Sequence, residues 1–131
     1  MAFKLYTTDD GRVPPVEYIP AEAGTYTIGE CVAIDTASSH QLDTSLTPTH
    51  ICVADMTVTV PGTPLPVIRI QKDMVFESSK DSSNVMHIGT KYDVAAGGLL
   101  VDDDGNVNQN FECTYVGGTA AGSVVRGRFV S

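Results

Sequence analysis

The apolar residues of this chain come in short runs, and this spacing constrains its fold more than any other feature. No window of helical length carries a sustained stripe of apolar residues at positions i, i+3 and i+4. The runs are rich in Val, Ile, Tyr and Phe, and Gly, Pro and clusters of Ser, Thr and Asp separate them. Many short strands joined by turns are typical of a barrel or a sandwich. The sequence therefore predicts an all-β protein built as one compact β-barrel or sandwich-like domain.

The last predicted strand, residues 123–130, shows the alternation expected when one face of a strand is buried. Val125 and Phe129 should face the core. Arg126 and Arg128 alternate with them and should face the solvent. We expect this strand to close the barrel.

The dipeptide Asp104-Gly105 is the clearest hairpin signal in the sequence. A type I′ turn needs positive φ at its two central residues, which Asp and Gly tolerate. The return strand of this hairpin should place Phe111, Cys113 and Tyr115 on one face.

Two further interruptions mark the middle of the chain. A strand over residues 25–34 should be kinked or bulged at Gly29. Residues 78–84 are polar, and we expect them to form a mobile surface loop.

The first twenty residues differ from the rest of the chain. Pro14, Pro15 and Pro20 block a helix and discourage pairing in the middle of a sheet. A length of 131 residues fits one domain. We therefore predict an extended Pro-rich N-terminal arm over residues 1–20 and a β-barrel-like domain over residues 21–131. The arm would lie either on a partner or as a strap across its own barrel.

The charge balance excludes some partners. The chain has 16 acidic and 8 basic side chains, a formal net charge of -8. Nucleic-acid binding draws its affinity from Lys and Arg, so we expect no nucleic-acid partner, and the same reasoning argues against an anionic membrane surface. No apolar run approaches the roughly 20 residues that span a bilayer, and residues 1–10 lack a signal-peptide pattern. We expect synthesis in the cytoplasm.

The sequence shows no catalytic signature. The densest acidic cluster, Asp102-Asp103-Asp104, lacks the glycine and glutamate spacing of an EF-hand calcium loop, and we interpret it as a turn. Cys31, Cys52 and Cys113 are too far apart for a zinc motif and should be buried free thiols. A Cys52 nucleophile with His50 as its base lacks any motif for an orienting group. We therefore expect no enzyme activity, no metal and no cofactor.

Several segments resemble the small head-decoration (cement) proteins of tailed bacteriophages. The similar segments, spread over most of the chain, are residues 1–14, 17–21, 26–32, 66–70, 74–77 and 118–129. The resemblance implies a β-barrel-like protein that binds the outer surface of the capsid. There it would strengthen the lattice of the major capsid protein, either as a trimer at threefold points or as a monomer. Several weak contacts made at once would add as avidity, and no active site is needed.

The residues expected to contact the capsid come from the arm and the last strand. They are Tyr6, Arg12, Val13, Pro14, Pro15, Tyr18, Arg126 and Arg128. The alternative for the two arginines is a solvated strand face. Alternative functions are another virion component, such as a tail-tube or head-fibre protein, a glycan- or host-binding module, and a small hydrolase.

Overall fold

The computed structural model describes residues 2–130, and within this range the chain is all-β. No helix in these residues is long and apolar enough to cross a membrane. The strands, in chain order, are β1 (Lys4–Thr8), β2 (Glu17–Ala21), β3 (Gly24–Tyr26), β4 (Cys31–Ile34), β5 (Leu42–Thr44), β6 (His50–Cys52), β7 (Met56–Val58), β8 (Thr63–Arg69), β9 (Met74–Ser79), β10 (Lys91–Val94), β11 (Val101–Asp102), β12 (Phe111–Val116) and β13 (Val124–Phe129).

The strands form two main units and one small ribbon. Strands β2, β5, β4, β6 and β8 close into a small barrel. A six-stranded sheet has the order β1-β9-β13-β12-β10-β11, and β3 pairs with β7. An isolated bridge between Lys80 and Val101 brings the edge strand β11 back to the end of β9, so the sheet curls at that end.

The barrel strands bury both of their faces, and this joins the two units. On β4, β6 and β8, the side chains of Val32, Cys52 and Val67 fill the barrel. Their neighbours Cys31, Ile51 and Ile68 belong to the core of the six-stranded sheet. Because successive side chains of a strand point to opposite faces, these three strands serve both cores. The two cores are therefore layers of one folded unit.

The four phenylalanines of the chain meet in the core of the six-stranded sheet. Phe3, Phe76, Phe111 and Phe129 have ring centroids 5.2–5.6 Å apart in tilted or edge-to-face pairs. Such pairs add about 1 kcal/mol each to the free energy gained by burial alone. Phe3 precedes the first strand, so the N-terminal segment is anchored in the core.

An N-terminal arm was expected over residues 1–20, but the part of it that the structure describes, residues 2–20, is not separate from the domain. β1 pairs with β9 at one edge of the sheet, and β2 pairs with β8 along five residues of the barrel. Pro20 is accommodated in β2 opposite Pro64. Pro14 and Pro15 therefore lie in a connection, residues 9–16, between two strands that belong to the domain.

The prediction of a hairpin at Asp104-Gly105 is also wrong, because the strands on its two sides do not pair with each other. The strand before it, β11, pairs with β10, and the strand after it, β12, pairs with β10 and β13. Between them, the buried carboxylate of Asp93 accepts hydrogen bonds from the backbone N–H groups of residues 107, 108 and 109 at 2.7–3.0 Å. The loop thus folds around a side chain of another strand, β10. The sequence of the loop alone cannot predict this contact.

Two other expectations for the sheets are corrected. The last strand, β13, does not close the barrel but lies inside the six-stranded sheet, between β9 and β12. The mobile loop expected over residues 78–84 begins instead with the last residues of β9, Ser78 and Ser79. Lys80 comes next and forms the isolated β-bridge with Val101. All three residues are buried. Val125 and Phe129 are buried in the core as predicted.

The single strand predicted over residues 25–34, with a kink or bulge at Gly29, is wrong, because the chain forms two strands there, β3 and β4, which belong to different sheets. Gly29 has φ +85, and it separates β3 from β4. A Cβ at this position would lie 2.4 Å from the backbone oxygen of Phe3, so no larger residue fits.

Candidate interaction surface

A proline loop, residues 9–16, follows β1 and is fixed by its own polar groups. Asp10 accepts a hydrogen bond from the backbone N–H of Arg12 at 3.0 Å and two from its guanidinium at 2.7 and 3.1 Å. The Thr8 hydroxyl donates to the Arg12 carbonyl at 3.0 Å, and the backbone N–H of Asp9 donates to the carbonyl of Asp73 at 3.1 Å. The hydrogen bonds from Arg12 hold the pKa of Asp10 below its usual value.

The proline loop presents apolar side chains to solvent. Val13 is 86% exposed and Val16 is 48% exposed. Pro15 is exposed as well, whereas Pro14 is half-buried. Because hydrogen bonds hold residues 9–12, the first half of this loop would lose little conformational entropy when the loop binds a partner.

Next to this loop, the solvent side of the six-stranded sheet carries an arginine between two tyrosines. The guanidinium carbon of Arg126 lies 4.0 Å from the ring centroid of Tyr6 and 4.5 Å from that of Tyr115. These cation–π distances are within the favourable range of about 6 Å. The three residues come from β1, β12 and β13, so the sheet fixes their spacing. We call these residues, with Lys4 and Glu77, the outer face.

Glu77 fixes the orientation of Arg126. Its carboxylate accepts a hydrogen bond from Arg126 Nε at 2.8 Å and lies 3.6 Å from the ammonium of Lys4. The hydrogen bond from Arg126 lowers the pKa of Glu77, and the same bond raises that of Arg126. Both charges therefore persist at neutral pH, and the outer face is a polar and aromatic patch with a fixed arrangement.

Arg128 connects the outer face with the proline loop. Its guanidinium donates to the carboxylate of Asp9 at 2.8 Å and to the backbone oxygen of Lys72 at 3.0 Å. Exposed ion pairs of this kind contribute little to stability. Their effect here is to hold the start of the proline loop against the end of β13.

The predicted contact residues fall into two places. Six of them lie on the outer face or in the proline loop, and Arg128 connects the two; the six are Tyr6, Arg12, Val13, Pro14, Pro15 and Arg126. Tyr18 lies apart from the outer face, on the barrel strand β2, where it pairs with Pro66 and is 70% exposed.

Tyr115, Glu77 and Lys4 are the residues of the outer face that sequence reasoning missed. Tyr115 was expected to face the core with Phe111 and Cys113. A register shift between Cys113 and Tyr115 turns it outward, where it is 43% exposed. Glu77 follows the alternation of β9, and its pairing with Arg126 across the strands could have been found only if that register were known.

The acidic cluster extends from the exposed Asp81 through the half-buried Asp102 to the buried Asp103, which forms an ion pair. Carboxylate oxygens of Asp81, Asp102 and Asp103 lie within 4.8 Å of one another. The ammonium group of Lys80 lies 3.3 Å from Asp103, and both side chains are fully buried. Lys80 thus supplies the counter-charge of Asp103.

The cysteines are buried and free, as predicted. Burial raises the pKa of Cys31, Cys52 and Cys113, which keeps them as thiols. The thiol of Cys52 donates to the carbonyl of Ala54 at 3.0 Å, and the Nδ1 atom of His50 is hydrogen-bonded to the Thr49 hydroxyl at 2.8 Å. These contacts offer no support for a Cys52 nucleophile.

Comparison with known proteins finds no family model that matches the chain and no curated protein with a matching sequence. Function is therefore inferred from the surface itself and from the resemblance of the sequence segments.

Proposed function

We propose that this protein decorates the outer surface of a tailed-phage capsid, binding the lattice of the major capsid protein and stabilising the head. The observation that carries the proposal is the continuous surface formed by the proline loop and the outer face. Seven of the eight residues expected from sequence to contact the capsid belong to it.

The chemistry of this surface suits protein–protein recognition. Exposed valine and proline side chains lie beside tyrosines and arginines, the residue types enriched at the centres of interfaces. Because hydrogen bonds and stacking already fix the arginines, binding would cost little side-chain entropy. The net charge of -8 suits the outside of a DNA-filled shell better than its inside.

Many copies on one lattice would reinforce the shell even if each contact is weak. When one molecule bridges neighbouring capsid subunits, its contacts act together as avidity. We further propose a homo-trimer at the threefold positions of the lattice, which light scattering on the purified protein tests. A monomer in solution would overturn the trimer while leaving capsid binding open to its own test.

Co-sedimentation with heads that lack the protein tests capsid binding. The heads would come from the phage whose genome encodes the chain. Val13→Asp places a charge on the exposed tip of the proline loop, and we expect it to weaken binding by about tenfold, or 1.4 kcal/mol. The matched control is Val107→Asp, which alters a side chain that is also 86% exposed but lies in the connection between β11 and β12, outside the proline loop and the outer face.

Equal weakening by both substitutions would contradict the assigned surface, whereas failure of the wild-type protein to bind heads would contradict the function. Binding to purified tails instead of heads would favour a tail component.

A further inference from the structure

A cleft of about 640 Å³ lies where the barrel meets the six-stranded sheet. It borders the surface proposed for capsid binding, because the backbone oxygen of Lys72 in its wall accepts a hydrogen bond from Arg128. Its size is within the range of about 300–1,000 Å³ found for ligand sites. The apolar part of the wall comes from Pro48, Ile70 and Phe129, and the polar part includes His50, Lys72 and Asn110. The connection between β8 and β9 crosses the cleft, so its wall belongs to both units.

Two buried polar atoms in this wall lack a hydrogen-bond partner among the described residues. They are Nε2 of His50 and Oδ1 of Asn110, and the two residues are 4% and 8% exposed. The other polar atom of each side chain is engaged, His50 Nδ1 with Thr49 and Asn110 Nδ2 with the carbonyl of Leu46 at 2.6 Å. Both side chains are therefore fixed in place. Because buried polar groups in folded proteins are nearly always paired, these atoms indicate a partner group from outside the chain.

The charge of the wall indicates the nature of that partner. No carboxylate lies among the described residues that line the cleft, although the chain has 16 acidic side chains. Arg69 contributes to the wall, but its guanidinium forms a bidentate ion pair with Glu17, with hydrogen bonds of 3.0 and 3.2 Å. Its charge is therefore already neutralised. Lys72 is exposed and forms no ion pair with a described residue, so it is the cation available to a ligand.

We propose that this cleft binds a short extended segment of a partner protein that carries an acidic side chain. A peptide N–H would donate to Oδ1 of Asn110, and the neighbouring peptide group would pair with Nε2 of His50. The carboxylate would pair with Lys72, while apolar side chains pack on Ile70 and Phe129. The proposal does not depend on capsid binding, because none of the residues expected to contact the capsid lines the cleft.

Nuclear magnetic resonance titration of the full chain tests the proposal. The probe is acetyl-Ala-Glu-Ala-Glu-Ala-amide, and the matched probe replaces both glutamates with glutamine. We expect the acidic peptide to shift the resonances of His50, Ile70 and Asn110 and to bind at least fivefold more tightly than the glutamine peptide. Lys72→Gln should remove this preference. Lys91→Gln, which alters an exposed lysine on β10, should retain it.

Three results would overturn the proposal. If neither peptide shifts the cleft resonances at millimolar concentration, the unpaired atoms are satisfied by water alone. If N-acetylglutamate binds as tightly as the pentapeptide, the cleft is a site for small acids. If the cleft resonances shift with protein concentration in the absence of peptide, the occupant is a second copy of the chain.

Discussion

Lys80 is the residue whose environment is hardest to explain from its own chemistry. Its ammonium group is removed from water, which costs several kcal/mol unless other groups replace the lost solvent. The carboxylate of Asp103 supplies the counter-charge, and the backbone oxygens of Asn84 and Thr119 accept the remaining hydrogen bonds. Lys80 therefore joins three loops at one end of the curled sheet.

Replacing Lys80 with methionine should destabilise the protein by about 3 kcal/mol, because Asp103 would stay buried without its cation. Urea unfolding of the Lys80→Met variant measures this loss. Lys91→Met is the matched control and should change the free energy of unfolding by less than about 0.5 kcal/mol, since Lys91 is exposed. Equal stability of the two variants would contradict this role of Lys80.

The interactions of Asp103 also predict how stability depends on pH. Burial alone would raise the pKa of Asp103, but hydrogen bonds from Asn84, Ser82 and Lys80 together lower it from 3.8 to about 2. A group whose pKa is lowered by folding stabilises the protein above its unfolded pKa and loses that effect as the pH falls through its folded pKa.

We therefore expect the wild-type protein to lose about 2 kcal/mol more than Asp103→Asn between about pH 4 and pH 2. Urea unfolding at several pH values measures the difference. Comparison with the variant separates this effect from that of Asp81, whose pKa is raised by burial. Parallel pH profiles for the two proteins would show that Asp103 is not responsible.

At the scale of single elements, β13 is the strand on which the sheet depends most. It pairs with β9 on one side and β12 on the other, and it contributes Val125 and Phe129 to the core. Gly127, in its middle, lets β12 approach closely, since a Cβ there would lie 2.3 Å from the backbone oxygen of Glu112 and 2.7 Å from the ring of Phe111.

Gly127→Ala should therefore destabilise the protein by about 2 kcal/mol, because both the backbone and a core ring would have to move. The matched control is Gly24→Ala in β3, where the nearest atom would lie at an ordinary 3.8 Å. Thermal unfolding of the two variants is the measurement. A lower melting temperature for the Gly24 variant than for the Gly127 variant would refute this account of β13.

The pattern of neighbouring residues in the sequence was sufficient to predict some features of the fold and not others. Alternation placed Val125 and Phe129 in the core correctly, because it depends on the residue and its immediate neighbours. The prediction of a hairpin at Asp104-Gly105 was wrong because Asp93, on another strand, accepts hydrogen bonds from the backbone N–H groups of the loop that follows. Tyr115 was misplaced because a bulge changes the alternation that such predictions assume.

For the molecule as a whole, the integration of the N-terminal segment changes how function can be tested. Removing residues 1–20 would delete β1, β2 and the anchor Phe3, so the truncated chain would lose parts of both cores. Point substitutions on the surface are therefore the appropriate variants. The candidate surface could be anticipated only in part, because the stacking of Tyr6, Arg126 and Tyr115 depends on three strands that are far apart in sequence.

Cryo-electron microscopy of heads incubated with the purified protein tests the central claim most directly. We predict ordered density at repeated sites on the outer surface of the head, with the proline loop and the outer face turned toward the capsid protein. Density with this surface turned toward solvent would contradict the assigned interface. Undecorated heads at saturating protein would contradict the proposed function itself.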